Sequence, residues 1–197
     1  GLGLHPETKA FVAAFVRQCA APMVLDADAL NIFAALANEH EKGLSPLDER
    51  NADVILTPHP GEMARLLLTS SEAVQKRRME CARELSKRAN AVVVLKGYRT
   101  LTATPDGYLY VNSTGNPGMA TAGAGDALTG VIAGLAANAR LVSLPSAAFS
   151  GVYLHGLAGD IAAEGSSEAS LTAPDILDCL GLAIRRLTRP RDEAHKE

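Results

Sequence analysis

The chain has 197 residues, room for one domain or at most two small ones. Apolar residues make up 47% and charged residues 21%, which excludes a disordered or collagen-like chain. A net charge of −3, with four Phe, four Tyr and no Trp, argues against a basic nucleic-acid footprint and against a membrane-interface aromatic belt. In chain order, residues 5–19 carry Phe11, Val12, Phe15 and Val16 on one helical face. The apolar run Met23-Val24-Leu25 predicts a buried parallel strand, and residues 28–37 return to helix. Residues 53–56 form a second strand, stopped by Thr57-Pro58, and residues 57–62 read as a loop leaving it. A long helix is expected over 71–88, with Thr69 and Glu72 at capping-box spacing. Residues 91–95 are the clearest strand. Segments 99–104 and 108–112 flank Asp106-Gly107, a hairpin turn signal. The last third is helical over 125–137, 145–164 and 173–187, the last behind a Thr172 cap, and residues 190–197 form a charged tail. Strands alternating with helices imply one α/β domain over residues 1–189, with helices on both faces of its sheet.

Cys19, Cys81 and Cys179 are far apart and odd in number, so neither a zinc site nor a disulfide framework is suggested. Each falls in a helical pattern and reads as a buried or half-buried thiol. No basic segment leading into an apolar one opens the chain, so no secretory signal is read there. The uncharged stretch 141–159 is interrupted by Pro145, His155 and several Ser and Gly, and reads as a core helix. His155 itself is expected in the core or at an interface. The composition suits a cytoplasmic protein.

In open α/β sheets, ligands bind beyond the carboxyl ends of the strands. Three loops leave strands there: 26–31, 57–62 and 96–100. The glycine-dense stretch 114–130 passes directly into an apolar helix. Glycines let backbone approach an anion closely, and a helix N-terminus supplies unpaired N–H groups, so phosphate is the natural occupant. Asp126, just after Gly125, is either a helix-cap charge or a base for a substrate hydroxyl. The stretch is not a Walker A loop, because no Gly-Lys-Ser/Thr ends it.

Gly123-Ala124-Gly125-Asp126 ahead of an apolar helix resembles the anion-hole motif of the ribokinase-like superfamily. Three further segments narrow the resemblance: residues 25–31, LDADALN; residues 57–62, TPHPGE; and Lys96-Gly97-x-x-Thr100. With residues 115–120, GNPGMA, they resemble the ADP-dependent NAD(P)H-hydrate dehydratases, over nearly the whole chain. The resemblance implies a three-layer sandwich with a mostly parallel sheet. It also implies a reaction in which ADP, or ATP, phosphorylates the hydroxyl of hydrated NADH or NADPH and phosphate then leaves. Asp126 is then the catalytic base, and Gly3, His59 and Asp126 are substrate-binding. Lys96, Gly97, Tyr98, Arg99 and Thr100 are nucleotide-binding. So are Asn116, Pro117, Gly118, Met119, Ala120, Thr121, Ala122, Gly123, Ala124 and Gly125.

Mg²⁺ is implied by the resemblance alone; no dedicated metal-ligand cluster is evident. Glu62 reads as an N-terminal helix charge. Asp26, Asp28 and Asn31 either orient the substrate or cap the next helix. The opening Gly1-Leu2-Gly3 resembles the end of a glycine-rich segment that in the family follows earlier strands. The chain is therefore expected to be a C-terminal portion of the family's domain, with an N-terminal fragment or an epimerase domain as candidate partners. A homo-oligomer is the expected assembly. The alternatives are a hydroxyethylthiazole- or pyridoxal-type kinase and an inactive nucleotide-binding fragment.

Overall fold

The apolar runs are the strands of a single sheet. In the computed structural model, which describes residues 2–39, 47, 49–137 and 142–188, the strands are β1 (Met23–Leu25), β2 (Val54–Leu56), β3 (Val92–Leu95), β4 (Leu101–Ala103) and β5 (Leu109–Val111). They lie in the order β1-β2-β3-β4-β5. β1, β2 and β3 run parallel, with Leu25 opposite Leu56 and Leu56 opposite Val93. β4 and β5 add an antiparallel hairpin to the far side of β3. The expected Asp106-Gly107 turn closes it: Gly107 N–H donates to the Thr104 carbonyl at 2.9 Å.

Side chains alternate across the sheet, so the parallel strands β1, β2 and β3 feed two cores. Val54, Leu56, Val93 and Leu95 point into the larger one, against α1 (Pro6–Gln18), α2 (Asp28–Glu39), α3 (Pro60–Leu66) and α5 (Arg78–Ala89). Ile55, Val92 and Val94 point the other way, onto Leu128 and Ile132 of α6 (Ala124–Ala136) and Ala148 and Val152 of α7 (Leu144–Gly165). Helices therefore cover both faces, the expected three-layer α/β sandwich. A third cluster, including Leu154, Ala158 and Ile176, joins α6 and α7 to α8 (Ala173–Asp178) and α9 (Leu180–Thr188). A buried Leu or Ile contributes roughly 1.5–3 kcal/mol, whereas an exposed pair such as Lys76–Glu72 contributes at most about 1 kcal/mol. The cores hold this fold.

Four local expectations are corrected. The 57–62 loop is short, because α3 begins at Pro60. Pro at the first helical position needs no N–H partner, so it starts this helix. The helix expected over 71–88 is two, α4 (Ser71–Lys76) and α5, divided at Arg77 in a non-helical conformation. Its cap is Ser70, whose hydroxyl accepts from Ala73 N–H at 3.1 Å, not Thr69. The helix expected over 173–187 is divided at Cys179 into α8 and α9. The charged tail lies outside the described residues. Cys81 is buried, which raises its thiol pKa, and Cys19 and Cys179 are half-buried. Among the described residues no helix is long and apolar enough to cross a membrane.

Candidate active site

The parallel strands end side by side, and hydrogen bonds continue past them. Thr57 N–H donates to the Leu25 carbonyl at 3.1 Å, and Lys96 N–H to the Pro58 carbonyl at 2.8 Å. These bonds align the three strand-end loops, bringing Asp26, Glu62 and Lys96 together at the carboxyl edge of the sheet. Lys96 Nζ lies 2.7 Å from Asp26 Oδ1 and 3.8 Å from Glu62 Oε2. The other Asp26 oxygen accepts from Thr129 Oγ1 at 2.8 Å, which ties the first turns of α6 to the sheet. The three charged side chains are 10%, 5% and 17% exposed for Asp26, Glu62 and Lys96. Charges so far from water persist only when paired and hydrogen-bonded. Ala27, next in the chain, has a left-handed φ of +50° and donates its N–H to Asp26 Oδ1.

His59 is the N-cap of α3. Its Nδ1 accepts from the Gly61 and Glu62 N–H groups at 2.9 and 3.3 Å, while Glu62 Oε2 accepts from His59 N–H at 2.8 Å. With Nδ1 accepting, the proton of the neutral ring sits on Nε2, which lies 3.5 Å from Glu62 Oε1. Glu62 is thus the expected helix N-terminal charge, and it also faces Lys96.

The 96–100 loop is held from behind. The Arg78 guanidinium donates to the Tyr98 and Leu95 carbonyls at 2.6 and 3.4 Å, and burial lowers its pKa. Gly97 at φ +131° lies against that guanidinium, and Arg99 at φ +51° turns the loop outward. The Tyr98 ring is 81% exposed, with the Arg99 guanidinium 5.6 Å from its centre. Facing this loop, Asp160 accepts from Gly115 N–H at 2.8 Å and from Asn116 Nδ2 at 3.0 Å. Asn116 Oδ1 accepts from Gly118 N–H at 3.1 Å. Gly123, the N-cap of α6, sits at φ +84°, and a Cβ there would meet Ala173 Cβ at 3.3 Å. Gly125 packs close enough to Lys96 that a Cβ would lie 3.6 Å from Nζ. Asp126 is exposed in the first turn of α6, and its carboxylate makes no hydrogen bond or ion pair among the described residues.

A cavity of about 540 Å³ lies between these loops. Its wall includes Lys96, Gly97, Tyr98, Arg99 and Thr100, together with Asn116, Pro117, Met119, Ala120, Ala124 and Gly125. Gly118, Thr121, Ala122 and Gly123 belong to the same loop but not to the wall. Asp126 follows Gly125 directly. His59 and Gly3 stand outside the cavity; Gly3 N–H donates to Asp28 Oδ2 at 2.8 Å, at the start of α2.

Outside the sequence-based set, Asp26 and Thr129 join the cluster around Lys96, and His155 lies on the cavity wall with other residues such as Asn112 and Thr114. Thr129 lies three residues after Asp126 on one helix, a spacing that could have flagged it. Among the described residues no group of three or more His, Cys, Asp or Glu converges as a metal cage would need. A lysine, a helix N-terminus and an unengaged carboxylate around a cavity suit a bound phosphate and a proton transfer beside it.

Residues 1–181 match a family model described as NAD(P)H-hydrate dehydratase. The chain is 46% identical over 187 residues to the bifunctional NAD(P)H-hydrate repair enzyme Nnr of Moorella thermoacetica, covering 95% of this chain and 34% of that protein. It is 43% identical over 169 residues to the ADP-dependent (S)-NAD(P)H-hydrate dehydratase of Neisseria meningitidis, covering 85% and 55% respectively. The fold is similar to that of the ADP/ATP-dependent NAD(P)H-hydrate dehydratase from Bacillus subtilis co-crystallised with ATP/Mg²⁺. That superposition has a TM-score of 0.77 at 34% identity, over 91% of this chain and 60% of that one. The chain thus spans about a third to three fifths of the length of these relatives. By its matched residues and by its fold, the chain belongs to the NAD(P)H-hydrate dehydratase family.

Proposed function

We propose that this chain takes part in the nucleotide-dependent dehydration of hydrated NADH or NADPH, with ADP or ATP as phosphoryl donor. One observation carries the reading: the Lys96 loop and the N-terminus of α6 line a single cavity, and Asp126, next in the chain to the wall residue Gly125, is unengaged. The Asp126 carboxylate takes the proton of the substrate hydroxyl as that oxygen attacks the terminal phosphorus, so that ADP leaves as AMP. The C–O bond then breaks with phosphate as the leaving group, far better than hydroxide, and the neighbouring ring carbon gives up its proton to solvent, so that the C=C bond of the dihydronicotinamide is restored. The amides of Gly123, Ala124 and Gly125 steady the transferring group, and Lys96 balances its charge. His59 and Gly3 hold the dinucleotide. The donor set suits Mg²⁺ held chiefly by the nucleotide phosphates, with Asp26 and Glu62 the nearby carboxylates; when bound, the ion would neutralise phosphate charge. Residues 1–189 act as one domain of a cytoplasmic homo-oligomer in this reading.

The test is incubation with hydrated NADPH, ADP and Mg²⁺ while the absorbance of the restored dihydronicotinamide is followed. Recovery that requires ADP supports the proposal. Phosphorylation of a hydroxyethylthiazole or pyridoxal without dehydration would assign a kinase instead. Asp126→Asn keeps nucleotide binding and loses about 10²–10⁴-fold in kcat, the usual worth of a positioned base. A wild-type rate in that variant removes Asp126 from the role.

A further inference from the structure

Three parts of the site meet at one carboxylate. Asp26 Oδ1 accepts from Lys96 Nζ at 2.7 Å and from Ala27 N–H at 2.8 Å, and Asp26 Oδ2 accepts from Thr129 Oγ1 at 2.8 Å. Leu128 and Ile132 of α6 pack on Ile55, Val92 and Val94 of the sheet. Apolar packing is non-directional, so it sets the distance of the helix from the sheet more firmly than its rotation. The Thr129 hydroxyl adds a directional contact, because a hydrogen bond weakens steeply as it bends. Asp126 lies three residues before Thr129 on α6, and residues at that spacing share a helix face. A rotation of α6 that breaks the Thr129–Asp26 bond therefore also swings the Asp126 carboxylate away. Lys96, held by the other oxygen of Asp26, lies over the first turn of the same helix: a Cβ on Gly125 would stand 3.6 Å from its Nζ.

We infer that Thr129 is a positioning residue: through Asp26, its hydroxyl registers the helix that carries Asp126 against the strand-end loop that carries Lys96. The inference rests on the proposed reaction, in which the proton acceptor and the charge that balances phosphate must face one transferring group. Thr129 is not in the cavity wall, and it takes no proton and touches no phosphate in this account. Its part is to aim Asp126.

The test is turnover of hydrated NADPH by the full chain with ADP and Mg²⁺, with ADP affinity measured separately by calorimetry. Thr129→Val keeps the shape of the side chain and removes the donor. Its kcat falls about 10- to 100-fold, the worth of a small misalignment of reacting groups, while its Kd for ADP stays within about threefold of wild type. Thr129→Ser, which keeps the hydroxyl, recovers most of that rate. With Asp126→Asn already in place, Thr129→Val costs no further rate, because the group it aligns has been removed. A merely structural Thr129 would lower Tm and leave the kcat of the folded variant at the wild-type value, and that result overturns the inference. Equal losses in the Val and Ser variants, or the same Val penalty with and without Asp126, overturn it too and leave the reaction intact. So does a loss of ADP affinity as large as the loss of kcat. If Thr129→Val does not fold, Thr129→Ala is read by the same criteria. Wild-type protein that restores no NADPH in an ADP-dependent way overturns the proposed reaction and this inference together.

Discussion

Asp26 and Lys96 are 70 residues apart in the chain and 2.7 Å apart in space, and Thr129 reaches the same carboxylate across 103 residues. Their pairing depends on parallel strands that end level, which no local spacing encodes, so the sequence left Asp26 open between substrate contact and helix cap. Lys96, the 96–100 loop and the glycine-rich stretch were legible, because each carries its chemistry within a few consecutive residues. Glu62 was legible as a helix N-terminal charge but not as the neighbour of Lys96. His155 read as a core histidine, and it is buried; its place in the cavity wall is a tertiary fact. Its burial also predicts acid sensitivity. The folded ring titrates at about 4 and the unfolded one at 6.5, so the unfolded state binds more protons in between. That stability is fully present above the unfolded value and is lost as pH falls toward the folded one, by roughly 2 kcal/mol between about pH 7 and pH 5. Urea unfolding at both pH values checks this: His155→Leu should lose correspondingly less than wild type. Equal losses would show that His155 is not buried neutral.

The Asp106-Gly107 turn was legible from its own two residues, while the helix expected from Pro145 begins one residue earlier, behind the Ser143 cap. The divisions at Arg77 and Cys179 carry no such signal. The first lets Arg78 begin a new helix beneath the 96–100 loop, where its guanidinium holds two carbonyls. That is a tertiary demand overriding a continuous helical pattern. The α6 N-terminus depends equally on one backbone shape. At Gly123 the left-handed φ and the contact with Ala173 both resist a side chain. Gly123→Ala should therefore destabilise by about 1–2 kcal/mol and weaken nucleotide binding by distorting the loop. Thermal melts and ADP titration read the two effects, and an unchanged Tm with unchanged affinity would contradict the account of this turn.

At the scale of the molecule, the layered α/β sandwich followed from alternating apolar runs and helical periods. The hairpin at the end of the parallel strands followed from one turn signal. The sheet's carboxyl edge then collects loops from β1, β2 and β3 against the start of α6, and the reaction proposed for the chain needs all four together. In that reaction phosphoryl transfer and dehydration are coupled at one site. The most direct measurement is the stoichiometry of AMP, inorganic phosphate and restored NADPH when the chain turns over hydrated NADPH with ADP and Mg²⁺. One AMP and one phosphate for each NADPH restored is the predicted result. AMP formed alongside a stable phosphorylated product, or NADPH restored without ADP consumption, would contradict it.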